Sequence, residues 1–195
     1  MPEPPANDPV DPDAIAGGSD TEAARASRVI RWISIAAILA LGLFYALVVA
    51  AEELSGKVIR VADGDTLTLR TAQPLDYQVR IAGIDAPEKR QPFGTKSRES
   101  LSSMVAGRNV TVIWHKRDQY GRLVAQVFAD SHDVGLIQIE RGLAWHYKAY
   151  EREQTTEDAQ GYAEAEEAAR LARRGLWADR EPVPPWEYRQ AGQSK

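Results

Sequence analysis

Three short runs follow one another between Lys57 and Ile84: "KVIRVAD", "DTLTLRT" and "YQVRIAGI". Each is rich in β-branched residues and partly alternates apolar with polar positions. An Asp-Gly pair (Asp63-Gly64) separates the first two and a Gln-Pro pair (Gln73-Pro74) precedes the third. Runs of this kind, punctuated by turn residues, predict an antiparallel meander of three strands. A meander needs a second layer or closure on itself to hide its apolar face, so the rest of the chain must supply one.

The sequence supplies it in a definite order. "TKSRESLSSMVAG" places Leu101, Met104 and Val105 at helical spacing and ends on Gly107. Two further strands, "NVTVIW" and "RLVAQVFA", are joined by "HKRDQYG". "VGLIQIERGLAW" reads as a short amphipathic helix and "TEDAQGYAEAEEAARLARRGLW" as a longer one stopping at Gly175. Three strands, a helix, two strands and then helices is the order of a five-stranded oligonucleotide-binding (OB) barrel with about three helices. Residues 52–180 are assigned to this mainly β domain. Residues 181–195, ending "PVPPWEYRQAGQSK", read as a Pro-rich tail without regular structure.

Ahead of the barrel the composition changes twice. Residues 1–28 are rich in Pro, Asp, Ala and Gly and carry six acids against two arginines. Such a segment cannot bury a core and reads as a disordered tail. Residues 29–51 contain the charge-free run Trp32–Ala51. Twenty residues of helix span roughly 30 Å, the thickness of the hydrocarbon layer. Arg25, Arg28 and Arg31 precede the run, and Glu52 and Glu53 follow it. The positive-inside bias then places the N-terminus in the cytoplasm and the barrel outside, as a single-pass membrane protein. A cleaved signal peptide ending at Val48-Val49-Ala50 or Val49-Ala50-Ala51 is the alternative, giving a secreted or periplasmic protein. A buried core helix is the third option, disfavoured because no polar face interrupts the run.

Two composition facts narrow the chemistry. The chain has no cysteine, which excludes a disulfide framework, a thiolate metal site and a cysteine nucleophile. The net charge of −4 resides in the N-terminal tail, since residues 52–195 carry 22 acids and 21 bases. A polyanionic substrate is therefore compatible with the barrel, provided its attraction is local.

Acidic and basic residues gather at the strand ends. Asp63 and Asp65 flank Gly64, while Asp85 and Glu88 sit three apart in "IAGIDAPEKR", with Arg80 just before. "VADGDTL", "VRIAGIDAPE", "DQYGR", "RGLAWHY" and "RRGLW" occur in an order and spacing that resembles the staphylococcal nuclease (thermonuclease) family, from Gly56 to about Asp179. The resemblance implies an OB-fold barrel, one bound Ca²⁺, and cleavage of DNA and RNA phosphodiesters on the 5′-oxygen side. It assigns Asp65, Asp85 and the backbone carbonyl of Ala86 to the calcium, a hard cation that prefers such oxygens. Where the family's well-known member has Thr, this chain has Ala86, a change that a carbonyl ligand survives. Glu88 matches the glutamate that orients or deprotonates the attacking water. Arg80 and Arg122 match the arginines that grip the scissile phosphate, as forked donors suit two phosphate oxygens.

Other residues carry weaker expectations. Asp63 is expected to hold its turn. Taken alone, Arg80 facing Glu88 would be a structural ion pair and Arg122 a solvated turn residue. Tyr120, Tyr147 and Tyr150 are candidates to stack on a base or bond a phosphate, with packing as the alternative. Trp145 and Trp177 are expected to pack, and His115, His132 and His146 lack metal-ligand spacing. Lys116 and Arg117 either steer phosphate or form a solvated basic loop. The expected partners are nucleic acid as substrate and a membrane through the N-terminal helix, with the chain a monomer. The competing classes are a non-catalytic OB module, binding nucleic acid or protein, and a tethered structural protein.

Overall fold

Strand β1 (Glu52–Val61) pairs antiparallel with both β2 (Thr66–Arg70) and β5 (Asn109–Arg117) in the computed structural model, which describes residues 52–193. The tail 1–28 and the apolar run Trp32–Ala51 lie outside these residues, as do Ser194 and Lys195. Among the described residues no helix is long and apolar enough to cross a membrane.

The meander continues from β2 to β3 (Asp76–Ile81), and β5 turns back into β6 (Leu123–Ala129). Closure comes from a parallel pairing of β3 with β6, Val79 to Ile81 against Leu123 to Ala125. The five strands thus form a closed barrel without an open edge at that seam. Irregular register between Val58 and Arg60 in β1, and between Trp114 and Lys116 in β5, bends the two long strands as closure requires. The period of two is clearest in β6, where Leu123, Ala125, Val127 and Ala129 are buried and the residues between them half-exposed. With Leu67, Leu69, Val79, Ile81, Val110 and Val112 they fill the barrel.

Helices cap the barrel's ends. α1 (Gly94–Val105) buries Leu101 and Val105 against the barrel core, with Met104 packed beside them. After the short bridge β7 (His132–Asp133), α2 (Val134–Glu140) starts on the Asp133 side chain, which accepts the Gly135 and Leu136 amides. The amphipathic run expected to reach Trp145 stops at Glu140, because Gly142 turns the chain at φ 64°. Trp145 and His146 instead form β8, paired with β4 (Ile84–Asp85). α3 (Thr156–Leu171) begins at a Thr155 cap and ties back to α2 through the Tyr162 hydroxyl, which donates to Asp133.

Two further expectations need correction. β1 begins at Glu52, so the strand starts four residues before Gly56 and includes Glu52–Ser55, paired with Trp114 to Thr111. The C-terminal stretch is not irregular either: Pro185–Gln193 form helix α4. Pro185 opens the helix, where a missing N–H costs nothing and its fixed φ favours the first turn.

Candidate active site

The turn between β1 and β2 is seated by contacts from three elements. Asp63 accepts the Asp65 amide at 3.1 Å, closing the turn as expected. A Cβ on Gly64 would lie 1.8 Å from Ser97 Oγ and 2.7 Å from the Ala86 Cβ, so only glycine lets the turn press this close. Gln138 of α2 donates to the carbonyls of Gly64 (2.9 Å) and Ser97 (3.1 Å) from beneath. Fixed in this way, the Asp65 carboxylate accepts the Ala86 amide at 2.9 Å and the Thr66 hydroxyl at 2.9 Å.

Arg80, on β3, joins the two carboxylates at the heart of the site. Its Nη1 lies 2.5 Å from Asp65 Oδ2 and its Nη2 donates to Asp85 Oδ1 at 2.9 Å. Arg80 therefore does not pair with Glu88, the partner it would have as an isolated structural ion pair. Burial alone would raise the Asp65 carboxyl, but Arg80, the Ala86 amide and the Thr66 hydroxyl outweigh it and hold it below the ordinary value. Burial and the neighbouring Asp65 carboxylate push Asp63 up to about 7. For Arg80, Asp65 and Asp85 outweigh burial and raise it further.

All nine candidate residues line one cleft of about 620 Å³: Asp65, Arg80, Asp85, Ala86, Glu88, Tyr120, Arg122, Tyr147 and Tyr150. Asp63 lines it as well. Arg122 reaches the cleft beside Thr66, with Nε donating to Asp118 (2.7 Å) and Nη1 3.5 Å from Thr66 Oγ1. Asp118 also accepts the Tyr120 and Arg122 amides, so the loop is wound around one carboxylate. Tyr120 is 73% exposed, its ring 5.5 Å from the Arg122 guanidinium. Lys116 is ion-paired to Glu153 and Arg117 donates to the Gly121 carbonyl.

The tyrosines of the "WHYKAY" segment differ. Tyr147 stacks on Trp186 (centroids 5.3 Å, 18° between planes) and leans on Tyr150 at 5.0 Å. Burial, reinforced by Asp85, raises the Tyr147 phenol. Trp145 and Trp177 pack edge to face at 4.4 Å, as expected of packing residues. His146 is buried against Gln154 (2.9 Å).

Sequence reasoning missed Arg189. From α4 it donates to Asp85 Oδ1 (3.2 Å), Asp85 Oδ2 (2.8 Å) and Glu88 Oε1 (2.8 Å). Hydrogen bonds to Asp85 and then Glu88 raise its pKa, in spite of partial burial. The available signal was slight: a Pro-initiated turn with Trp186 and Arg189 three apart, hence on one helix face.

Among the described residues no cluster of three or more carboxylate or imidazole side chains is arranged as a metal cage. The site offers two buried carboxylates, Asp65 and Asp85, with the Ala86 carbonyl on the same loop. This donor set is chemically suited to a hard cation completed by water. The two carboxylates converge closely enough for one guanidinium, that of Arg80, to span them.

A sequence profile described as "Staphylococcal nuclease homologue" matches residues 78–179, which include Arg80, Asp85, Glu88 and Arg122 and end before Arg189. An Escherichia coli protein named "Uncharacterized endonuclease" is 39% identical over 142 residues, covering 72% of this chain and 88% of its own. A Haemophilus influenzae protein of the same name is 38% identical over 138 residues, 71% of this chain and 74% of that one. The Arabidopsis thaliana protein "Staphylococcal-like nuclease CAN1" is 36% identical over 113 residues, 58% of this chain but 33% of its own longer one. A closed five-stranded barrel, a profile matching just over half of the chain and two bacterial relatives matched over most of their length agree, and the chain belongs to the staphylococcal nuclease family.

Proposed function

We propose that this protein hydrolyses phosphodiester bonds of DNA or RNA with low sequence specificity, depends on Ca²⁺, and breaks the bond on the 5′-oxygen side. The observation that carries the reading is the convergence of Asp65, Arg80, Asp85, Glu88 and Arg122 on one cleft. In the proposed reaction Glu88 accepts a proton from a water whose oxygen attacks phosphorus. Arg80 and Arg122 bracket the phosphate and balance the charge that grows on its oxygens. The P–O5′ bond breaks, and Arg122, lining the same cleft, assists the departing oxygen before solvent protonates it. Asp65, Asp85 and the Ala86 carbonyl would hold the calcium, which when bound supplies further positive charge against the phosphate. Tyr120, exposed beside Arg122, would stack on a base flanking the scissile bond. Because these contacts address phosphate and ring faces, they carry little base-edge information, consistent with low specificity.

Plasmid nicking with calcium, repeated in excess chelator, tests the reading. Nicking abolished by chelator is the expected result, and full activity in chelator would remove the metal from the reaction. The rival reading is a non-catalytic OB module binding nucleic acid or protein. It draws on one specific observation, the presence of Arg189 on Asp85 and Glu88. Retention of a labelled oligonucleotide without any cleavage in calcium would favour it.

We further propose that residues 29–51 tether the barrel to a membrane, with the N-terminus cytoplasmic. Support comes from the charge-free run Trp32–Ala51 and the arginines before it. The chain should stay in the membrane fraction after a high-salt wash and leave it in detergent. A mature protein beginning near Ala51 or Glu52 would make it secreted or periplasmic instead.

A further inference from the structure

Asp85 and Glu88 have two claimants. The proposed hydrolysis requires Asp85 oxygens for a cation and Glu88 oxygens for a water. In the folded chain both Asp85 oxygens accept from Arg189, at 3.2 and 2.8 Å, and Oδ1 also accepts from Arg80 at 2.9 Å. Glu88 Oε1 accepts from Arg189 at 2.8 Å. Asp85 is 1% exposed, so its carboxylate has little room to turn toward another partner. One guanidinium must therefore leave before the carboxylates can serve.

The two arginines are held unequally. The Arg80 side chain is 16% exposed, rises from a central barrel strand and neutralises Asp65 as well as Asp85. The Arg189 side chain is 38% exposed and rides on a nine-residue helix at the end of the described chain. That helix docks through side chains and the residue ahead of it: Gln91 Nε2 donates to the Val183 carbonyl at 2.6 Å, and Trp186 rests on Tyr147 and, at 5.6 Å, against Trp145. Trp186 and Arg189 are three residues apart, so a single seating of the helix delivers both. The same seating covers one face of Tyr147, a ring otherwise available to a nucleobase.

We propose that α4 is an autoinhibitory latch: Arg189 occupies the place of the cation, Trp186 covers Tyr147, and calcium and substrate bind only as the helix lifts. The proposal rests on the nuclease reading of this cleft. A closed population lowers apparent affinity by the fraction that is open, so removing the latch tightens calcium binding. Withdrawal of charge-assisted hydrogen bonds of ordinary strength corresponds to roughly ten- to hundred-fold.

The test compares the full-length chain with Arg189→Ala and Arg189→Lys, by calorimetric calcium titration and hydrogen–deuterium exchange of residues 185–193. Calcium is expected to speed exchange of this segment in the parent chain. Arg189→Ala should exchange fast without calcium and bind calcium roughly ten- to hundred-fold more tightly. Arg189→Lys, whose ammonium cannot fork across Asp85, should fall between. Cleavage by Arg189→Ala should exceed the parent's at limiting calcium and match it at saturation. Unchanged calcium affinity in Arg189→Ala, with exchange indifferent to calcium, would overturn the latch. So would lost cleavage at saturating calcium with affinity unchanged, since Arg189 would then be a substrate contact. Failure of the nuclease reading shows separately, as absence of cleavage by all three chains whatever calcium does to the helix.

Discussion

Asp85 is gripped from two sides by parts of the chain that differ in how they are held. Beneath it Arg80 projects from β3, which is paired on both edges, to β2 and to β6. Above it Arg189 projects from α4, which docks through side chains, Trp186 against Tyr147 and Trp145 among them, and through the Val183 carbonyl just ahead of it. The two guanidiniums make similar contacts with the same carboxylate, yet their removal should have different consequences. A floor charge balances carboxylates that cannot reach water, whereas a cover charge can be replaced by solvent or by an ion. The distance of an ion pair does not reveal its role; what the rest of each partner is attached to does.

Arg80→Ala should produce the largest loss. It strands the buried Asp65 without a counter-charge and leaves the buried Asp85 with Arg189 alone. Removing one partner of a buried pair costs about 3–5 kcal/mol, and for a chain this size each kcal/mol lowers Tm by about 2–4 °C. Scanning calorimetry in chelator should therefore show a drop of at least about 6 °C, together with loss of cleavage. A Tm within error of the parent's would erase the distinction between floor and cover.

Glu88→Gln should separate chemistry from folding at the same place. Glu88 is half-exposed and its side chain pairs with Arg189 rather than with a barrel residue, so the barrel does not depend on its charge. Turnover should fall by roughly 10²–10⁴, the usual range for losing an acid–base group. Tm should stay near the parent's. Parental turnover would remove Glu88 from the catalytic set.

The division between floor and cover is also the division between what the sequence discloses and what it hides. Residues of the floor sit at fixed offsets within single strands and tight turns, so local pattern places them: alternation marks β3, Asp-Gly marks the turn before β2, and Pro87 bounds the Asp85 loop. Closure of the barrel brings these ends together, and a five-strand order was enough to anticipate that. Arg189 lies 101 residues beyond Glu88, on a helix too short to show a period and preceded by prolines that resemble a loop. Its contact depends on where Trp186 finds an aromatic neighbour, which is a property of the folded surface. The start of β1 was hidden for a related reason. "EELS" has no strand-forming character of its own, and β5 imposes the extended form on it through pairing.

That imposed pairing gives the third test, made at the other end of the chain. Deleting residues 1–51 should leave a folded, active barrel, because β1 remains whole from Glu52. Deleting 1–55 removes the pairings of Glu52–Ser55 with β5 and takes Leu54 away from the core it packs against. The shorter fragment should melt below the longer one, by less than Arg80→Ala costs, since no charge is stranded. Equal Tm values would mean that the first turn of pairing adds nothing to the barrel.

The smallest effect is expected from Trp186→Ala, which attacks the cover without touching a carboxylate. The indole rests on Tyr147 and on the edge of Trp145, and aromatic pairs of this kind contribute about 0.5–1.5 kcal/mol beyond their buried area. Because α4 takes no part in the sheet and docks on it through side chains, most of that loss should appear as local opening rather than as global unfolding. Calorimetry should register a decrease of no more than about 4 °C. Exchange at residues 185–193 should accelerate, while the amides of β3 and β6 keep the parent's protection. Should the barrel amides lose protection together with the helix, α4 would be part of the cooperative core, and the contrast between its arginine and Arg80 would collapse.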